Sequence, residues 1–202
     1  MKKNQIKFLI FDGYGVVMAS GYPNTCREVS KITGVSAKKI FEVMYKKYFN
    51  MAALRKITQK QAWQMTINEL KLPITRQKLA KLHMDLLTVR PRDLKFVRSL
   101  RKKYPTLLLS KNTRSQFTDT KKKNPIVWKS FDYIINTWEL GLPKASRKTI
   151  NFIAKRFKIK PSEMLYVDDQ EGNLVEAKKM GVTTILYKNH SQFKRDVLKA
   201  LK

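Results

Sequence analysis

The sequence predicts an α/β fold, a parallel sheet interleaved with helices and carrying an all-helical insertion after its first strand. Two patterns carry this reading. Short apolar runs of strand length recur along the chain, each followed by a helix-like stretch, which is the pattern of βαβ units. Between about Asn24 and Leu87 those runs disappear and helix signals follow one another. A chain of 202 residues that is 43% hydrophobic has room for one such core and a small insertion.

The first apolar run, Ile6–Phe11, ends in Asp-Gly and suits a strand buried on both faces. The opening MKKNQIKFLIFDGYG superficially resembles a signal peptide. Its apolar stretch is short, however, and an Asp with glycines stands where a small-residue cleavage site would be, so it is read as a strand. Ser36 predicts a capped helix to about Tyr45, Thr58 one to Leu70 and Thr75 one to Leu87. Trp63, Ile67 and Leu70 recur at helical spacing and read as a core stripe. His83 falls in the last of these helices and reads as a helix-surface residue. Arg90-Pro91 marks the return to the sheet, Pro suiting the first turn of a helix. Strands follow at Thr106–Leu109, Tyr133–Ile135, Met164–Val167 and Thr184–Tyr187, with helices over about Asp93–Lys103, Ser146–Phe157, Glu171–Met180 and Gln192–Leu201.

Right-handed crossovers bring the strand C-termini to one edge of a parallel sheet, where ligands bind in such folds. The polar residues at those ends are Asp12, Ser110 and the pair Asp168-Asp169, with Lys144 after a loop beyond the Tyr133–Ile135 strand. Together they offer a carboxylate nucleophile, a hydroxyl donor, a balancing cation and carboxylates for a divalent ion, the set phosphoryl transfer needs. Gly13 and Gly15 let the backbone turn tightly and approach a phosphate. Adjacent carboxylates repel unless a cation offsets them, which argues against a purely structural Asp168-Asp169 pair.

Four segments, FDGYGVV, LLLSKNTR, ELGLPKASRKTI and YVDDQEGNLVEAKKMG, resemble in order and separation the four motifs of the haloacid dehalogenase superfamily. LRKIT, VRP, LSxxxR and VDDxxxN are similar to the sugar-phosphate phosphatases of the alpha-glucose-1-phosphate phosphatase kind. The resemblance implies a Rossmann-like catalytic core over residues 1–20 and 88–202 and a helical cap over 21–87. It also implies a hydrolase that forms an aspartyl-phosphate on Asp12. Mg²⁺ would be held by Asp12, the Tyr14 carbonyl and Asp169, with Asp168 close to the ion or its water. Ser110, Lys144 and the backbone at Gly13 would meet the phosphoryl oxygens.

The departures are as informative. The second Asp that family phosphatases use as acid and base is here Tyr14, a phenol poorly suited to activating water. Asp-x-Tyr-Gly instead resembles the 2-haloacid dehalogenases, whose halide leaves without a proton and which work without a metal, although their fourth motif lacks this Asp pair. Lys111 stands where the family favours Asn and either adds a phosphate contact or points to water. Ala145 replaces a Pro. The implied function is a Mg²⁺-dependent phosphatase of a small phosphorylated metabolite, with a sugar phosphate as the expected kind. The alternatives are a metal-independent dehalogenase and a weak or inactive member acting as a basic binding protein.

Other chemistries find no support. His83 and His190 lie near no Ser or Cys nucleophile signature, and GxxxxGK[ST] is absent. The lone Cys26 makes no internal disulfide and no zinc pattern is present, so a reducing cytoplasm is expected. No apolar run is long enough for a bilayer, so no membrane partner is expected. With 43 Lys and Arg against 15 Asp and Glu, a formal charge of +28, the chain attracts phosphate-bearing partners. The charge is spread along the sequence without a recognition motif, so nucleic acid is expected to bind only non-specifically.

Overall fold

The computed structural model describes residues 5–202. The expectation for residues 1–4, as the lead-in to the first strand, lies outside them. Five strands, β1 (Phe8–Phe11), β2 (Thr106–Ser110), β3 (Tyr133–Asn136), β4 (Met164–Asp168) and β5 (Thr183–Leu186), pair entirely in parallel in the order β3-β2-β1-β4-β5. The central strands are buried throughout because helices cover both faces, and their interiors are apolar. One face, with Leu9, Phe11, Leu108 and Val167, packs on Val97, Trp128 and Phe193. The other, with Phe8, Ile10, Leu107 and Tyr166, packs on Ile150, Ile153 and Leu174.

Residues 21–86 leave the sheet as a helical cap with its own core. Its helices are α1 (Gly21–Thr33), α2 (Ala37–Phe41), α3 (Asn50–Ala53), α4 (Gln59–Leu70) and α5 (Arg76–Leu86). The Ser36, Thr58 and Thr75 side chains each accept from the backbone N–H three residues on, and Gln61 completes a capping box with Thr58. Between α2 and α3 runs a π-helical segment, Glu42–Phe49, whose wide turn stacks Phe41, Tyr45 and Phe49 at ring separations of 4.8 and 5.3 Å. Trp63, Ile67 and Leu70 join Tyr45, Phe49 and Leu79 in the cap's core.

The cap's two connections run side by side. Met18 bridges Val89 antiparallel, and Ala19 N–H donates to Thr88 and Arg90 N–H to Val17 at 2.8 and 2.9 Å. Pro91 then opens α6 (Pro91–Arg101). The remaining helices are α7 (Arg114–Lys123), α8 (Pro125–Trp128), α9 (Thr137–Leu140), α10 (Arg147–Phe157), α11 (Glu171–Lys179) and α12 (His190–Ala200). No described helix is long and apolar enough to cross a membrane.

Candidate active site

Asp12 follows β1, Ser110 closes β2 and Asp168 closes β4, so parallel register gathers them at one edge of the sheet. Asp12 continues the ladder, its N–H donating to Val167 at 2.9 Å. Lys144 reaches the same place from the loop before α10. Ser146 and Thr149 fix that loop by donating to the Pro143 carbonyl at 2.7 and 2.8 Å. The side chains of Asp12, Ser110, Lys144 and Asp168 are all buried.

Lys144 Nζ lies 2.5 Å from Asp12 Oδ1 and 2.8 Å from Asp168 Oδ2. Gly13 N–H also donates to Asp12 Oδ1, at 2.8 Å, which leaves Oδ2 as the oxygen without a donor. Burial works against the Lys144 charge, but the two carboxylates outweigh it and push its pKa up. Burial raises the Asp12 carboxyl, Lys144 opposes that, and Asp168 and Asp169 add to it.

The adjacent aspartates do different things. Asp168 is saturated: it accepts from Tyr166 Oη at 2.7 Å and, through Oδ1, from Gln170 N–H and Asn173 Nδ2 at 2.9 Å, besides holding Lys144. Among the described residues Asp169 accepts only from Ser20 Oγ, at 3.2 Å, and its buried Oδ1 has no partner. Burial, then Asp168, pushes its pKa up. Gly15 makes this packing possible. Its φ is +104°, and a Cβ there would stand 1.9 Å from Asp169 Oδ2.

Asp12, Asp168 and Asp169 each offer an oxygen within 4.8 Å of the others, against the single ammonium of Lys144. A hard divalent cation satisfies both the charge excess and the bare Asp169 oxygen, so these residues fit Mg²⁺. Ser110 Oγ is a second orphan, buried and without a partner. Such a group costs about 1–3 kcal/mol until a ligand engages it. The Tyr14 hydroxyl is a third. It faces Asn112 and Thr120 without completing a hydrogen bond of ordinary geometry, and burial raises its pKa.

A cavity of about 370 Å³ opens over this cluster, walled by Asp12, Tyr14, Lys144 and Asp169 on the core side. The cap supplies Tyr22, Phe41, Tyr45 and Phe49. Lys111, with two sequence-based expectations, does not simply point to water. It is half-buried, donates to Asn50 Oδ1 at 3.1 Å and lies 5.0 and 5.6 Å from the Tyr45 and Phe49 rings. Burial, reinforced by Lys144, pushes its pKa down to about 8.

His83 is a correction. Expected on a helix surface, it is 1% exposed, because α5 turns it with Leu79 toward α1. Their i, i+4 spacing was the signal that places it inside. It belongs to a buried relay that joins cap to core. Thr113 Oγ1 donates to Gln59, Gln59 to Tyr22, Tyr22 to Gln116, and Gln116 to His83 Nε2. His83 Nδ1 lies 2.8 Å from Thr25 Oγ1, whose proton goes to the Gly21 carbonyl. That order requires the neutral ring with its proton on Nδ1. Tyr22, Gln116 and His83 also line the cavity and carried no motif.

The family model for haloacid dehalogenase-like hydrolases matches residues 16–187. Mouse bifunctional epoxide hydrolase 2 is 35% identical over 69 residues, 34% of this chain and 12% of that protein, so the chain spans only a small part of that relative. A predicted HAD-like family hydrolase from Porphyromonas gingivalis superposes with a TM-score of 0.73 over 98% of this chain and 99% of its own, at 17% identity. A HAD family enzyme from Bacteroides thetaiotaomicron, in complex with magnesium and inorganic phosphate, gives 0.68 over 91% and 94%, at 18% identity. At 17% and 18% identity the likeness to these two proteins is one of fold.

Proposed function

We propose that this chain, which belongs to the haloacid dehalogenase-like hydrolase family, is a Mg²⁺-dependent phosphatase of a small phosphorylated metabolite, a sugar phosphate in the first instance. The observation that carries the reading is the bare, buried Asp169 oxygen beside Asp12, an arrangement that costs stability unless a cation is bound. Asp12, Asp169 and the Tyr14 carbonyl would hold Mg²⁺, and when bound it supplies charge neutralisation for the phosphoryl oxygens.

The chain's own residues account for the rest. Asp12 Oδ2 attacks phosphorus while Gly13 N–H and Lys144 hold the other oxygen in place, and the bond to the leaving oxygen breaks. Ser110 Oγ donates to the phosphoryl group, which ends its isolation. Lys144 tempers the repulsion between Asp12 and Asp168 and stabilises charge that builds up on the phosphoryl oxygens. Water then attacks phosphorus and frees Asp12. Tyr14, kept protonated by burial, can hydrogen-bond to a leaving oxygen but neither gives up its proton readily nor takes one from water, so this second step is the slow one.

Tyr14 also favours a second reading, a dehalogenase in which Asp12 attacks carbon and the halide leaves without a proton. A screen of phosphorylated metabolites and 2-haloacids, with Mg²⁺ and with chelator, tests both. Phosphate release that requires Mg²⁺ and vanishes in Asp12→Asn is expected. Halide release indifferent to chelator would establish the second reading instead.

A further inference from the structure

We propose that Lys111 is a second anion-binding group, so that the substrate is a small phosphomonoester carrying a carboxylate on its organic portion. This rests on the phosphatase reading and narrows its small phosphorylated metabolite to a carboxylated one in place of a neutral sugar phosphate. The phosphoryl end of the cavity is complete without Lys111. Asp12, Ser110 and Lys144 gather there, and Lys144, with two of its donors on Asp12 and Asp168, keeps a third for the phosphoryl group. Lys111 follows Ser110 in sequence but is held elsewhere, by Asn50 Oδ1 and over the Tyr45 and Phe49 rings of the cap. Both lysines line the same cavity, one fastened to the core and one to the cap.

The state of Lys111 shows what is missing. An ammonium withdrawn from water is ordinarily paired with a carboxylate, and Lys111 has none among the described residues. Aromatic faces stabilise it only in part. Burial and then the Lys144 charge leave its proton easier to lose than that of an ordinary lysine, with Asp12 and Asp168 opposing them only in part and from beyond ion-pair distance. One Nζ donor goes to Asn50, and the others remain for a ligand. A single point charge, with no guanidinium fork beside it, suits a monoanionic carboxylate better than a second phosphate. The stacked rings of Phe41, Tyr45 and Phe49 give the body between the two anions an apolar wall.

Calorimetry in Mg²⁺ with compounds that contain no cleavable ester separates the two ends. Methylphosphonate reports on the phosphoryl end alone, and phosphonoacetate and 3-phosphonopropionate add a carboxylate at two reaches. At least one phosphonocarboxylate should bind wild-type protein about tenfold or more tighter than methylphosphonate. Lys111→Met should erase that gain and leave methylphosphonate within about twofold. Lys111→Arg, which keeps the charge, should retain part of the gain and serves if the Met variant is unstable. No gain in wild type, or a gain that survives Lys111→Met, overturns the proposal. Equal weakening of all three compounds in Lys111→Met overturns it too, by placing Lys111 on the phosphoryl group. If methylphosphonate itself fails to bind wild type, the phosphatase reading falls and this inference falls with it.

Discussion

Tyr14 stands two residues beyond Asp12 with a buried, unpartnered hydroxyl, and its chemistry limits the second half of the proposed reaction. A buried phenol keeps its proton and cannot take one from water. Tyr14→Asp should therefore raise turnover and reduce the phosphoenzyme that accumulates, since a positioned general base contributes roughly 10²–10⁴-fold. Acid-quench labelling and steady-state rates on folded, Mg²⁺-loaded protein measure both, and an unchanged rate would show that another group supplies the base. Gly15 gives a second prediction at this scale. Its positive φ and the 1.9 Å approach of a Cβ to Asp169 mean that Gly15→Ala must displace that carboxylate. The strain is worth about 1–3 kcal/mol. Gly15→Ala should lower the melting temperature and weaken Mn²⁺ binding, read by calorimetry, and retention of both would show that the loop moves freely.

At the scale of elements, what sequence reveals divides by range. The strands are legible because a centre strand covered on both faces must be a continuous apolar run. The cap helices are legible because Ser36, Thr58 and Thr75 meet N–H groups only three residues away. Asp12, Ser110 and Asp168 could be grouped in advance because parallel register brings strand ends together, whereas Lys144, in a loop well beyond β3, is placed with them only by the resemblance of its motif. The different roles of Asp168 and Asp169 were not legible, since they depend on Tyr166, Asn173 and Ser20. Nor were the π-helical turn and the seating of Lys111 on it, which couple residues 61 apart. For His83 the i, i+4 spacing with Leu79 signals burial, but its partners Thr25 and Gln116 come from α1 and α7 and were not legible. Its burial carries a pH prediction. Burial pushes its pKa down to about 3, while the unfolded imidazole titrates near 6.5. Between those values the unfolded chain binds a proton that the folded chain refuses, so stability is fully present above pH 6.5 and is lost as pH falls toward 3. The slope from this residue is at most about 1.4 kcal/mol per pH unit. Denaturant melts from pH 7.5 to 4.5 should show it, with His83→Gln flattening the acid limb. An identical slope in that variant would assign the acid sensitivity to the carboxylates.

For the whole molecule the charge is the dominant fact, and the structure sorts it into two populations. Some basic residues hold the fold together. Arg101 pairs with Asp132 and donates to the Lys129 carbonyl at 2.7 Å, and Lys123 meets the Met84 and Asp85 carbonyls at the C-terminal end of α5. Arg55 and Arg114 flank the Trp138 ring, with Arg55 bonded to the Trp138 and Glu139 carbonyls and Arg114 to the Glu139 side chain. Others are exposed, as Lys95, Arg98, Lys102 and Lys129 are beside an open groove on α6 and α8. Since 15 acids cannot neutralise 43 bases, the surface field is positive whatever the active site does. Polyanions should therefore bind through counterion release, with no base being read. Fluorescence anisotropy with unrelated DNA and RNA oligomers should give similar affinities at low salt, falling steeply between about 50 and 200 mM. Reversing Lys95, Arg98 and Lys102 to Glu should flatten the slope of log affinity against log salt by about 0.7–0.9 for each phosphate the variant no longer neutralises. The candidate active site lies at the strand ends, away from α6, so that triple variant should match wild type in the proposed phosphatase assay. Affinity that discriminates between sequences at about 150 mM salt would refute this and make nucleic acid a specific partner.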